Sequence, residues 1–177
     1  MKIKTIGIIG DSDERKDLNQ IAEEMGRLIA EAGYSLVTGG REGVMGAASR
    51  GARSVPNRPE TARVIGVLPG TEGKEANQYL DYAIPTGIGW ARNQIVVLSS
   101  DIVVAVGGGA GTLSEISYAW VYKKPILAFT GIQGWSNNMA GKAVDERRSN
   151  KIIAVSSPLE AIQKIKEIFS ISQTICV

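Results

Sequence analysis

At 177 residues, with 44% hydrophobic and 21% charged side chains, the chain fits one globular domain with a buried core, and wholesale disorder is excluded. A net charge of +2 gives no overall nucleic-acid footprint, and no apolar run reaches the roughly 20 residues that a membrane helix needs. The lack of histidine and the single cysteine, Cys176, exclude imidazole metal sites, Ser-His-Asp and Cys-His catalysis and an internal disulfide, leaving Asp, Glu, Arg, Lys, hydroxyls and backbone amides for any chemistry.

The opening "MKIKTIGIIGDSDE" resembles a secretion signal only briefly. Its apolar part spans about seven residues, breaks at Gly10 and runs into acids, so Ile3–Ile9 reads as a strand and the cytoplasm as the default compartment. From about Glu14 to Glu31, Leu18, Ile21, Met25, Leu28, Ile29 and Ala32 recur at helical spacing, and Gly33 ends the helix. Tyr34–Thr38 is a second strand closed by "GGREG"; the small residues of "VMGAASRGARS" predict a short helix packed closely on the sheet. Arg63–Pro69 is a third strand, and "GTEGKEANQYLD" a loop over one edge. Tyr82–Thr86, Ile102–Val106, Pro125–Phe129 and Ile152–Val155 complete the strands, with helices over Gly89–Asp101 and Thr112–Lys123. "QGWSNNMAGKAVDERRSN" is a polar loop with about one helical turn, and "SSPLEAIQKIKEIF" a capped helix with Pro158 in its first turn. Residues 1–170 then form one domain, and 171–177 a C-terminal tail that carries Cys176.

Short apolar strands alternating with helices predict an α/β fold: a single-domain, doubly wound, Rossmann-like layer on a mostly parallel sheet of about seven strands. Ligands of such sheets bind beyond the carboxyl ends of the strands, where strand order reverses. Three strands end there in glycine, in "IIGDSD", "VTGGREGVMG" and "VAVGGGAGTLSE", and each hands over to a helix start. Unpaired amides and the positive end of the helix dipole attract an oxyanion, and glycine lets it approach without meeting a Cβ. The alternative for each turn is that glycine merely lets the chain bend. Neither a G-x-G-x-x-G dinucleotide signature nor the lysine of a P-loop is present, so neither NAD nor ATP is expected. Arg50, Arg53, Arg58 and Arg63 cluster locally, as a solvated helix end and loop or as an attractor of anions.

The stretches "GGREGVMGAAS", "VIGVLPG", "ARNQIVVLSSDIVVAVGGGAGTLSE" and "KKP" resemble the LOG-like superfamily, once mislabelled as lysine decarboxylases. The likeness runs from about Ile6 to Ala128. The family's enzymes are phosphoribohydrolases of cytokinin nucleoside 5′-monophosphates. Of their Pro-Gly-Gly-x-Gly-Thr-x-x-Glu hallmark, Gly108, Gly109, Gly111, Thr112 and Glu115 match, with Gly107 in the place of proline. Of Met-His-x-Arg-Lys only Arg92 is kept; Gly89, Trp90 and Asn93 replace the rest. Within the superfamily, "TGGREGVM", "IGVLPG", "TGIGWARNQIVVLSS" and the run from Asp101 to Glu115 bear a closer likeness to the molybdenum cofactor carrier proteins of algae and cyanobacteria.

That resemblance implies a homo-oligomer, dimer or tetramer, that binds molybdenum cofactor (molybdopterin) as cargo, protects it and passes it on without turnover. Its partners would be cofactor-synthesis enzymes and apo-molybdoenzymes, with no membrane and no nucleic acid. The cargo's phosphate would take the amides of Gly108–Thr112 and the Thr112 hydroxyl, and Arg92 would supply the cation. Gly39, Gly40, Gly43, Val44 and Met45 would line a neighbouring pocket, with Arg41 offering its fork to an oxo group. Gly10, Asp11 and Ser12 would meet the pterin. The alternatives are a LOG-type phosphoribohydrolase, with Arg92 and Glu115 catalytic, and a nucleotide or oxyanion sensor. Glu115 also has a structural alternative, a capping box at the start of its helix, and Arg92 a pairing with an acid at a subunit contact. Trp90, Trp120 and Trp135 read as core or interface, with Trp90, beside Arg92, the exception that stacks on ligand. Ile116, Ala119, Trp120 and Tyr122 give one helix an apolar excess suited to a dimer interface.

Overall fold

Strands β2 (Ser35–Thr38), β5 (Ile102–Val106) and β6 (Ile126–Phe129) are buried at every residue, because helices cover both faces of the sheet. The computed structural model describes residues 3–174. Among them β1 (Thr5–Gly10), β3 (Val64–Leu68), β4 (Tyr82–Pro85) and β7 (Ile153–Val155) complete a seven-stranded sheet in the order β4-β3-β2-β1-β5-β6-β7. Every pairing is parallel.

Helices α1 (Lys16–Glu31), α2 (Val44–Arg53) and α6 (Pro158–Thr174) lie on one face, over a core that includes Ile6, Ile8 and Val104. Helices α3 (Arg92–Leu98), α4 (Ala110–Val121) and α5 (Trp135–Met139) cover the other, around Ile9, Val103 and Trp120. Strand order therefore reverses between β1 and β5, paired from Ile6↔Ile102 to Gly10↔Val106. Beyond that pair α1 and α4 leave to opposite faces, which opens a crevice at the carboxyl edge.

The boundaries differ in places from those the sequence suggests. β1 starts at Thr5, whose amide donates to Asp101 Oδ2 (2.9 Å). α4 begins two residues before Thr112, and α6 continues to Thr174, through part of the stretch read as a tail. Cys176 lies outside the described residues. No helix among the described residues is long and apolar enough to cross a membrane.

Three expectations about packing change. Ile116, Ala119 and Trp120 are buried within the domain's second core, so they are not free to form a dimer face. Of the basic cluster, Arg50 pairs with Glu23 (2.9 Å), and Arg53 and Arg58 converge on Asp81, which also accepts the Val64 amide (2.8 Å). Those charges secure helix ends and the β4 edge. The small residues of α2 meet α1 as well as the sheet: a Cβ at Gly51 would collide with the Glu23 carbonyl, and one at Gly26 with that of Ala48.

Gly51→Ala is therefore expected to destabilise the fold. Overpacking against rigid backbone costs about 1–3 kcal/mol or more, against a helix-propensity gain of at most about 1 kcal/mol. A lowered denaturation midpoint checks this; an unchanged or raised one would mean that α1 and α2 can move apart freely.

Candidate functional site

Three glycine-bearing turns meet at the crevice, and Asp11 holds them together. Asp11 opens the β1–α1 turn, which continues the apolar run of β1 into the polar "DSDE". Its carbonyl accepts the Val44 amide at the start of α2 (2.9 Å), and its Oδ2 accepts the Gly108 amide after β5 (3.1 Å). The convergence leaves a cavity of about 220 Å³.

Its first wall is Gly10, Asp11 and Ser12, as expected from the sequence. Its second is Gly39, Arg41 and Met45. Gly40, Gly43 and Val44 do not line it. The Gly40 amide donates to Thr38 Oγ1 (3.1 Å), and a Cβ there would press on Leu68 and Gly66 of β3. Gly43 has φ of +67°, and its bare Cα packs on Asp11 and Ser12. Val44 fills the space above Gly10 and is fully buried.

The third wall is the start of α4: Gly109, Ala110, Gly111 and Thr112. Ala110, Gly111 and Thr112 are the first three residues of the helix, so their amides have no intrahelical acceptor, and the N-cap is Gly109, without a capping side chain. Gly108 sits behind them. With φ of +94° it makes the turn, and its amide is committed to Asp11. Of the amides from Gly108 to Thr112, that of Gly108 is thus spent on the scaffold.

Arg92 forms the floor. It is the first residue of α3, is 3% exposed, and its guanidinium lies so close to Gly39 that a Cβ there would sit 2.5 Å from both Nη atoms. Nη1 donates to Asn93 Oδ1 (2.9 Å) and stands 3.7 Å from Glu115 Oε1; Nε has no acceptor among the described residues. The partner of Arg92 is thus an internal acid, not one at a subunit contact. Because α4 starts at Ala110, Glu115 falls in its second turn, out of reach of the N-cap amide, and the capping-box alternative fails.

Burial penalises both charges. It pulls the Arg92 pKa down, with Glu115 opposing, and pushes the Glu115 carboxyl up to about 8, with Arg92 opposing. Ionisation of Glu115 is thus disfavoured on the floor, beside the cationic side chains of Arg92 and Arg41 and opposite the Asp11 carboxylate. The arrangement suits an anion that fits against backbone amides and one buried guanidinium.

Asn93, Trp90 and Ala110 also line the cavity. Asn93 is 2% exposed and joins α3 to α4 through Ser114 Oγ (3.0 Å) while it holds Arg92. The signal for it was its standing where the LOG hallmark has lysine; the sequence alone did not say that the replacement becomes a clamp.

Residues 3–162 match the SLOG cluster4 family. The chain is similar to the solved molybdenum cofactor binding protein of the phototrophic bacterium Rippkaea orientalis, at 35% identity, TM-score 0.78, and coverage of 96% of this chain and 99% of that one. It is similar too to the molybdenum cofactor carrier protein of Chlamydomonas reinhardtii, at 33% identity, TM-score 0.78, and coverage of 94% and 99%. A cytokinin riboside 5′-monophosphate phosphoribohydrolase of Mycobacterium tuberculosis is 29% identical over 168 residues, 86% of this chain and 87% of that protein.

Glu115 binds a proton in the folded state that the unfolded chain, with a carboxyl near 4.5, releases. Its contribution to stability is therefore full below about 4.5 and is lost as pH rises toward about 8. Glu115→Gln removes that loss, so the variant's melting temperature relative to the native protein should climb between pH 5 and 8. A difference that stays flat with pH would show that Glu115 is ionised throughout.

Proposed function

The chain belongs to the SLOG cluster4 family, and on that premise we propose that it binds molybdenum cofactor, shields it and hands it on without turnover. The observation that carries this reading is Arg92: a buried guanidinium with one N–H that has no acceptor among the described residues, on the floor of a cavity that the glycine-bearing turns line. A buried donor without an acceptor is costly, and an anionic guest relieves it. The cargo has a terminal phosphate, a polar pterin and a molybdenum oxo group. In this assignment the phosphate takes the amides of Gly109–Thr112 and the Thr112 hydroxyl, with Arg92 beneath. Arg41, one-third exposed and 3.7 Å from Glu75, turns its fork to the oxo group, and Gly10, Asp11 and Ser12 meet the polar edge of the pterin. The likeness to two proteins described as binding or carrying this cofactor supports the choice of guest.

A second reading, nucleoside 5′-monophosphate phosphoribohydrolase, draws on the Arg92–Glu115 pair and on the mycobacterial relative. Two features weigh against it. Burial disfavours the charge that Glu115 would have to offer a cation-like sugar transition state, and Asn93 stands where that hallmark has a lysine. Donor and recipient proteins would be cofactor-synthesis enzymes and apo-molybdoenzymes. A homo-oligomer is part of the same proposal, supported by the exposed Tyr82, Ile84, Leu98 and Val121.

The purified protein should slow the decay of molybdenum cofactor and restore activity to a cofactor-free molybdoenzyme, while releasing no free base from adenosine 5′-monophosphate. Decay at the same rate with and without protein, or catalytic release of adenine, overturns the carrier reading. Arg92→Ala should weaken cofactor binding about 10- to 150-fold, the range for losing a charge-assisted hydrogen bond, with the far-ultraviolet spectrum kept. Unchanged affinity would make Arg92 purely structural.

A further inference from the structure

We infer that the indole of Trp90 is a stacking platform for a planar heteroaromatic group joined to the bound phosphate, and that it sets which phosphate esters the site retains. This rests on the anion-site reading above. Trp90 is 67% exposed and also lines the cavity, which sets it apart from the other exposed large apolar side chains among the described residues. The other two tryptophans are occupied. Trp120 is buried, donates to Asp145 (2.7 Å) and lies under Arg148, and Trp135 packs on the second core.

Trp90 is also held in place. It sits in the short turn Gly89–Ala91, where the Gly89 amide donates to Pro69 (3.0 Å) and the Ala91 amide to Ile88 (3.3 Å). Its Cζ3 stands 3.5 Å from where a Cβ of Gly111 would be, so the ring edge rests on the first turn of α4, beside the free amides. Two residues on, Arg92 points into the floor. One short segment thus presents a cation at the bottom of the cavity and an aromatic plane at its mouth.

Size completes the case. About 220 Å³ is below the roughly 300 Å³ at which small-molecule pockets begin, so with a phosphoryl end inside, only the edge of an attached ring system fits and its face is left at the mouth. The surface awaiting it there is the indole. A pterin and a purine share this chemistry, and the site's preference between them is for the experiment to read.

Titration calorimetry of the native protein, Trp90→Ala and Trp90→Phe with a pterin monophosphate, guanosine 5′-monophosphate and ring-free ribose 5-phosphate tests this. Trp90→Ala should lose roughly 5- to 150-fold in affinity for the ring-bearing esters, as expected for one stacked base. Trp90→Phe should stay within a few-fold of the native protein, and ribose 5-phosphate should bind all three alike. Equal losses for ring-bearing and ring-free esters, especially with a changed sedimentation coefficient, would make Trp90 an interface residue and overturn the inference. So would a native protein that binds no ring-bearing ester better than ribose 5-phosphate. Trp90-dependent nucleotide binding without protection of molybdenum cofactor would sustain this inference and sink the carrier reading alone.

Discussion

Asp11 makes one site out of three turns. A residue just beyond β1 accepts the Val44 amide with its backbone and the Gly108 amide with its side chain, fixing the starts of α2 and α4 against the start of α1. Without that tie, each turn would be an ordinary strand-to-helix connection with spare amides. With it, the free amides of α4, the fork of Arg41 and the guanidinium of Arg92 surround one volume. The tie also exacts something: the Gly108 amide, which would otherwise face a guest, is consumed in building the wall.

The floor shows a second economy. Burying a guanidinium and a carboxyl together is tolerated only if the pair is satisfied, and here it is not fully so. Asn93 satisfies one N–H of Arg92, Glu115 stands beyond hydrogen-bond range, and Nε has nothing. One N–H of the floor's guanidinium is therefore left without an acceptor among the described residues. The same two residues in a LOG-type enzyme would face a lysine instead of Asn93. With an amide in that place, Asn93 braces Arg92 against α4 through Ser114.

Most of the architecture was legible because parallel strands with two covered faces read as unbroken apolar runs, and the amphipathic pattern of Leu18, Ala22, Met25 and Ile29 marks α1. The site was legible in outline. "GGGAGTLSE" and "GWARN" announced the start of α4 and Arg92, and Trp90 stood out beside them. Less visible was the task of each glycine. Gly39 and Gly111 keep the walls bare, Gly43 and Gly108 make turns, and Gly40 admits a neighbouring strand. Glycine is the same letter in all three roles.

The sequence by itself determined the class of fold, the edge at which the cavity opens, and the chemistry available there, since these follow from local periodicity and from which residue types are present or missing. Tertiary structure alone decided that Gly108 belongs to the scaffold, that Arg53 and Arg58 share the Asp81 carboxylate, and that Glu115 stands beside Arg92 on the cavity floor. Those roles depend on partners 17 to 97 residues away, as with Val64 and Asp81 or Asp11 and Gly108, and on burial that raises the cost of charge. Distance in space and dielectric surroundings arise only when the chain closes on itself.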